Sequence, residues 1–127
     1  MEFVETIINY TFKDKKLLQH ALVHRSYTNE KDRDSEINEH NERLEFLGDA
    51  VLELVVSDFL FNELNEPEGK MTKLRSALVK DTSTAQVGIS IGLDTQILLS
   101  RGEREELGTA RPSIVADAVE AVIGAMY

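Results

Sequence analysis

The stretch Asn41 to Leu54, Asn-Glu-Arg-Leu-Glu-Phe-Leu-Gly-Asp-Ala-Val-Leu-Glu-Leu, constrains this chain more than any other. Its acids stand at Glu42, Glu45, Asp49 and Glu53, spaced 3, 4 and 4 residues apart among large apolar side chains. At about 100° per residue on an α-helix, the four carboxylates share an arc of roughly 80°. Leu44, Leu47, Val51 and Val55 line a separate apolar stripe, and further along Leu52, Val56 and Leu60 fall in the sector that the acids hold higher up. That face is therefore not plain solvated surface, and part of the acidic column is expected to be half-buried.

A solvated acidic face is the ordinary reading of such a pattern. Three features argue against it. Gly48 sits in mid-helix, at a cost of about 1 kcal/mol relative to alanine, which implies close packing there. Arg43 is the one cation within the cluster, and a second acid pair appears far away in sequence at Asp117 and Glu120. Half-buried carboxylates repel one another and push each other's pKa upward, and a hard divalent cation relieves both costs.

Composition narrows the chemistry. The 127 residues suit one domain with an ordinary apolar fraction of 42%, and the chain has no cysteine, so any metal must be held by oxygen or histidine. No run approaches the length of a membrane span, and the N-terminal Met-Glu-Phe-Val-Glu has neither the basic nor the apolar part of a signal peptide. A cytoplasmic protein with no membrane partner is expected. The net charge of −9 argues against gathering nucleic acid by bulk electrostatics, so a nucleic-acid substrate would need help from metals or from another domain.

Taken in order, Glu2 to Tyr10 is a short amphipathic segment, and Asp14 is placed to cap a helix over Lys15 to His24. His20 and His24 stand four apart, but no acid occupies a general-base position between them, so they read as helix-end histidines bonded to their neighbours. Arg25 to His40 is polar and reads as a loop. The long helix runs from about Asn41 to Leu64 and stops before Pro67 and Gly69. Lys70 to Lys80 reads as an amphipathic helix whose Lys70, Lys73 and Lys80 are candidate phosphate contacts. Asp81 to Ile91 follows as another helix, with Gly92 past its end. Ile97 to Leu99 is a short apolar run, Arg101 to Ala110 a charged loop, and Ser113 a candidate N-cap for the last helix. No segment alternates with period two, so an all-α domain is expected.

That last helix, Ser113 to Tyr127, is apolar almost all round except for Asp117 and Glu120, which lie three apart on one face. Ala116, Ala121 and Gly124 beside them would let another helix approach closely. A core helix with two carboxylates and no cation of its own asks for a metal or for arginines from elsewhere. The chain ends at Tyr127 without a capping signal, as expected for a fragment of something longer.

The Asn41-to-Leu52 stretch resembles the signature of the catalytic domain of ribonuclease III, the double-stranded RNA endonuclease related to Dicer and Drosha. Further matches surround it in the same order: Ala21-Leu-Val-His-Arg-Ser-Tyr, Glu68-Gly-Lys-Met-Thr-Lys-Leu-Arg-Ser-Ala-Leu-Val, and Ser113-Ile-Val-Ala-Asp-Ala-Val-Glu-Ala-Val-Ile-Gly-Ala. The likeness spans nearly the whole chain. It implies that Glu45, Asp49, Asp117 and Glu120 ligate catalytic magnesium, with manganese as a substitute. It also implies that Glu42 and Glu68 assist in the catalytic valley and that Phe46 is an aromatic knob entering the partner subunit of a homodimer. Glu53 has no counterpart and is left as a surface or packing acid.

Members of this signature type continue through another helix into a basic double-stranded RNA-binding domain, absent from residues 1–127, so a truncated chain is expected. The implied reaction is hydrolysis of both strands of an RNA duplex, leaving 5′-phosphates and short 3′ overhangs, in RNA processing such as that of ribosomal RNA. Two alternatives stand beside it: a catalytically silent dimeric module of the same fold, and a helical metal-binding protein unrelated to RNA.

Overall fold

The computed structural model describes residues 1–29, 37, 39–105 and 108–127. Among these, the helices are α1 (Glu2–Ile8), α2 (Lys15–Ala21), α3 (Arg25–Thr28), α4 (Glu42–Glu63), α5 (Glu68–Val79), α6 (Asp81–Ser90) and α7 (Pro112–Met126), with 3-10 turns at Leu93–Thr95 and Arg101–Glu103. No strand occurs among the described residues; two isolated bridges, Val23 with Leu98 and Arg104 with Ala110, are the nearest approach to one. The all-α expectation holds. No helix among the described residues is long and apolar enough to cross a membrane.

The molecule is built around α7. Its Ile114, Val115, Ala116, Ala118, Ala121 and Val122 are buried, where each large aliphatic side chain contributes about 1.5–3 kcal/mol. The long helix α4 packs along one side of α7 and α6 along another, with α2 completing the enclosure. Glycines set the closeness of both packings. A Cβ on Gly48 would overlap the Glu120 carbonyl, one on Gly124 would overlap the Leu44 carbonyl, and one on Gly88 would run into Val115 and Val119. The cost inferred for Gly48 in mid-helix is thus offset by backbone-to-backbone contact between α4 and α7.

Local chemistry fixes the ends. Asp14 caps α2, its carboxylate accepting from the Lys16 N–H at 3.0 Å. Gly92, at φ +79°, closes the end of α6 in the left-handed region, as expected. Asn41 stands at the cap position of α4, but its side chain is turned elsewhere: the Asn41 amide nitrogen Nδ2 donates to the Ala21 carbonyl at 3.2 Å, and its backbone N–H donates to the Val23 carbonyl at 2.9 Å. The peptide of Leu98 joins the same place, donating to Leu22 O at 2.8 Å and accepting from His24 N at 3.0 Å.

Two expectations are corrected. The segment read as a loop from Arg25 begins with a single helical turn, because the His24 ring nitrogen Nδ1 accepts from the Ser26 N–H at 3.1 Å and caps it. Such a turn leaves no apolar periodicity to read. Residues 30–36 and 38 of that loop lie outside the described residues. Ser113 is not the N-cap of the last helix. Pro112, whose fixed φ suits the first helical position, makes Arg111 the cap, and Ser113 Oγ instead accepts from Arg111 Nε at 3.2 Å.

Candidate metal centre

The close approach of α4 and α7 brings their acids to one open cavity of 610 Å³. From α4 it is lined by Glu42, Glu45, Phe46 and Asp49, and from α7 by Ser113, Ile114, Asp117 and Glu120. Asp81 at the start of α6 adds another carboxylate. Asn41, His24, Arg25 and Arg111 complete the wall. Four of the acids singled out in the sequence, Glu45, Asp49, Asp117 and Glu120, therefore share one site although they come from two helices far apart in the chain.

Burial and mutual repulsion shape the titration of Glu45, Asp117 and Glu120. Glu120, 6% exposed, is pushed up to about 8, first by burial and then by the charges of Asp49, Glu45, Asp81 and Asp117. Burial likewise raises Glu45 to about 7, with the Asp117 charge, a hydrogen bond shared with Asp117, and the charges of Glu42 and Asp81 adding to it. Asp117 is raised by burial, against the hydrogen bond to Glu45 and the nearby Arg25. At neutral pH Glu120, and Glu45 in part, keep protons that a hard cation would displace. The donor set is all oxygen, which fits a magnesium-like ion. Among the described residues, no three acid or histidine side chains are drawn tightly enough together to hold an ion as they stand, so binding would turn Glu45 and Asp117, which share a hydrogen bond, away from each other and toward the ion.

Among the described residues, the cations lining the cavity are Arg25 and Arg111, not Arg43, which lines a separate hollow with Leu17, His20 and Leu47. Arg25 Nη1 donates to Glu42 Oε1 at 3.2 Å, and Arg111 Nη1 pairs with Glu103 at 2.9 Å. The His24 imidazole is held below its ordinary value first by burial and then by the charges of both guanidiniums, against Glu103 and Glu42. Basic and acidic side chains thus line the same cavity. His20, for its part, is paired with Glu39 at 3.2 Å. Sequence reasoning missed Asp81, Arg25 and Arg111 as members of this site. Arg25 lies in one of the matched stretches, but neither Asp81 nor Arg111 carries a periodic signal.

Two other expected site residues stand differently. Glu68, first residue of α5, is outside the cavity; it accepts from Thr72 Oγ1 at 3.1 Å and lines a 260 Å³ hollow with Ser57, Leu60, Phe61, Met71 and Arg75. Phe46 is on the cavity rim and 83% exposed. It is joined by exposed Leu47, Leu54, Val55, Phe59 and Phe61, so α4 presents a broad apolar face to solvent. Glu53 is exposed. Lys70, Lys73 and Lys80 are exposed, and none lines the cavity.

Comparison with known proteins agrees with this architecture. A curated ribonuclease 3 from Protochlamydia amoebophila is 49% identical over 125 residues, covering 98% of this chain and 50% of that protein. One from Campylobacter jejuni is 45% identical over 128 residues, covering 100% of this chain and 54% of that protein. The chain spans about half the length of these relatives. Among solved structures, the nuclease domain of Campylobacter jejuni ribonuclease III, described as flexible in a region involved in dimer formation, superposes with a TM-score of 0.85 at 47% identity, covering 98% of this chain and 82% of that one. Dicer from Pichia stipitis superposes with a TM-score of 0.65 at 30% identity, over 91% of this chain and 46% of its own. The family model for ribonuclease-III-like proteins matches residues 14–127, and the chain belongs to that family.

Proposed function

We propose that this chain is the catalytic domain of a metal-dependent endonuclease that hydrolyses double-stranded RNA, leaving 5′-phosphates and short 3′ overhangs, in cytoplasmic RNA processing. The observation that carries the reading is the single cavity in which α4 and α7 gather Glu45, Asp49, Asp117 and Glu120, in a chain of the ribonuclease-III-like family.

These four carboxylates would hold magnesium, or manganese in its place. A bound divalent cation supplies Lewis-acid chemistry, easing deprotonation of the attacking water and charge build-up on the departing 3′ oxygen. The protein supplies placement. Gly48 and Gly124 hold the two helices in backbone contact, so the acids of one face those of the other across a fixed distance. Glu45 and Glu120 are built to change protonation state near neutrality, which makes them responsive to an arriving cation. Glu42, at the cavity edge and paired with Arg25, borders the substrate side. Glu68 lies outside this chain's own cavity, and no role there is assigned to it. The exposed apolar face of α4, with Phe46 at its N-terminal end, supports a homodimer in which each subunit cuts one strand.

Incubating a long RNA duplex with the protein in magnesium and then in EDTA tests the proposal. Cleavage in magnesium that is absent in EDTA and absent from Glu120→Gln supports it. An intact duplex in magnesium at every protein concentration overturns it.

A further inference from the structure

We propose that Arg25 and Arg111 form a phosphate-holding end of the cavity, positioning the RNA backbone so that one phosphodiester lies before the carboxylates; this rests on the nuclease reading above. The acid lining poses the problem. Glu42, Glu45, Asp49, Asp81, Asp117 and Glu120 face one cavity in a chain of net charge −9, so an incoming polyanion is repelled where it must be cut. Affinity for RNA backbone comes from cations on phosphates. The lysines of α5 and its end, at positions 70, 73 and 80, are away from this wall.

Two arginines are not. Arg25, on the short α3, and Arg111, at the foot of α7, line the same cavity as the carboxylates, with His24 also in its lining. Each is tied to one carboxylate: Arg25 Nη1 to Glu42 at 3.2 Å, and Arg111 Nη1 to Glu103 at 2.9 Å. Arg111 Nε also donates to Ser113 Oγ at 3.2 Å. A guanidinium has five N–H donors in a planar fork that matches the two free oxygens of a phosphodiester, so both retain donors for a ligand. Exposed single ion pairs add little to folding, which leaves stability a weak reason for two arginines beside an acidic hollow. The hydrogen bonds that the arginines donate to Glu42 and Ser113 hold the forks in orientation beside the acids.

The test is single-turnover cleavage of a long RNA duplex in magnesium, over a series of monovalent salt concentrations. Arg25→Gln and Arg111→Gln should each raise the half-saturating RNA concentration roughly tenfold, as expected for one lost charge-assisted contact. Each should flatten the dependence of its logarithm on log salt by about one unit, with the rate at saturation little changed. Arg25→Lys and Arg111→Lys should restore the slope. Glu103→Gln, which breaks the Arg111 ion pair but keeps the guanidinium, should behave as wild type, and the magnesium-induced rise in Tm should persist in every variant. Gln variants with wild-type half-saturation and slope overturn the inference, as does Glu103→Gln reproducing Arg111→Gln, which would make Arg111 a loop tether. If wild type cuts and only these variants fail to differ, the nuclease reading survives alone; if wild type does not cut, both fall.

Discussion

Gly48 of α4 lies directly against the carbonyl of Glu120 on α7, with no room between them for even one carbon atom. The residue before Asp49 and the backbone of Glu120 are thus a single contact, and the distance between two of the cavity's acids is set by main chain.

Gly48→Ala should therefore do more harm than its small size suggests. The added methyl meets backbone, which cannot rotate away, so the helices must part. Overpacking of this kind costs about 3 kcal/mol, against a gain of about 1 kcal/mol in helix propensity. Urea unfolding should show the net loss, and cleavage should fall further than stability because Asp49 moves away from Glu120. A variant as stable and active as wild type would show that the two helices are not held at this spacing.

The metal-free protein should lose stability as pH rises from about 5 to 8. Glu120 titrates near 8 in the folded chain against an ordinary 4.5, and Glu45 near 7, so the folded state holds protons that the unfolded state has released. Below the unfolded value nothing is lost; above the folded value the full penalty applies. Between them each group costs about 1.4 kcal/mol per pH unit. Thermal unfolding in EDTA across this range should show the decline, and Glu120→Gln should flatten it. A Tm that climbs toward pH 8 would contradict the placement of these acids.

How much of this was legible in the sequence varied with the kind of information needed. Asp117 and Glu120 stood out because an apolar helix must be buried and its acids with it, which holds for Glu120 while Asp117 is only half-buried at the cavity; Gly48 stood out because a glycine in mid-helix needs a neighbour, and the contact with α7 supplies one. Helical periodicity reports which side of one helix is apolar. It says nothing about which helix ends meet, which is why Asp81, first residue of α6, and Arg111, one residue before α7, escaped notice. The same limit applies to Glu68: its place in the order of matched stretches does not reveal that α5 starts at the far end of α4, away from the cavity.

Magnesium should stabilise the folded chain. An ion that binds only the native arrangement adds RT ln(1 + [Mg²⁺]/Kd), about 2.7 kcal/mol at a hundredfold excess over Kd. Asp49→Asn and Glu120→Gln remove part of the repulsion around this cavity, so each should raise the Tm measured in EDTA and abolish the rise with magnesium. Melting curves of the three proteins at about 0.15 M ionic strength decide the matter, since a solvated acidic face would be screened there. Equal Tm for wild type in EDTA and in magnesium would leave the free chain without a metal site.

Phe46→Ala should leave the folding of one chain nearly untouched, because the ring is 83% exposed there, and yet weaken self-association by orders of magnitude. A phenylalanine buried in a partner contributes about 3–5 kcal/mol. Sedimentation equilibrium of wild type and variant separates the two effects, and an unchanged association constant would remove Phe46 from the interface.

The peptide groups of residues 21–24 are shared between two claimants, Asn41 at the start of α4 and Leu98 in the chain leading toward α7, and the His24 ring at the end of this span caps α3. The acids of α4 and the guanidinium of Arg25 consequently hang from one short span of main chain, which works as a ruler between them. A ruler of peptide hydrogen bonds keeps its length when core side chains are swapped, so drift in the packing around Leu18 or Ile97 would alter how firmly the molecule holds together without altering where along a strand it measures.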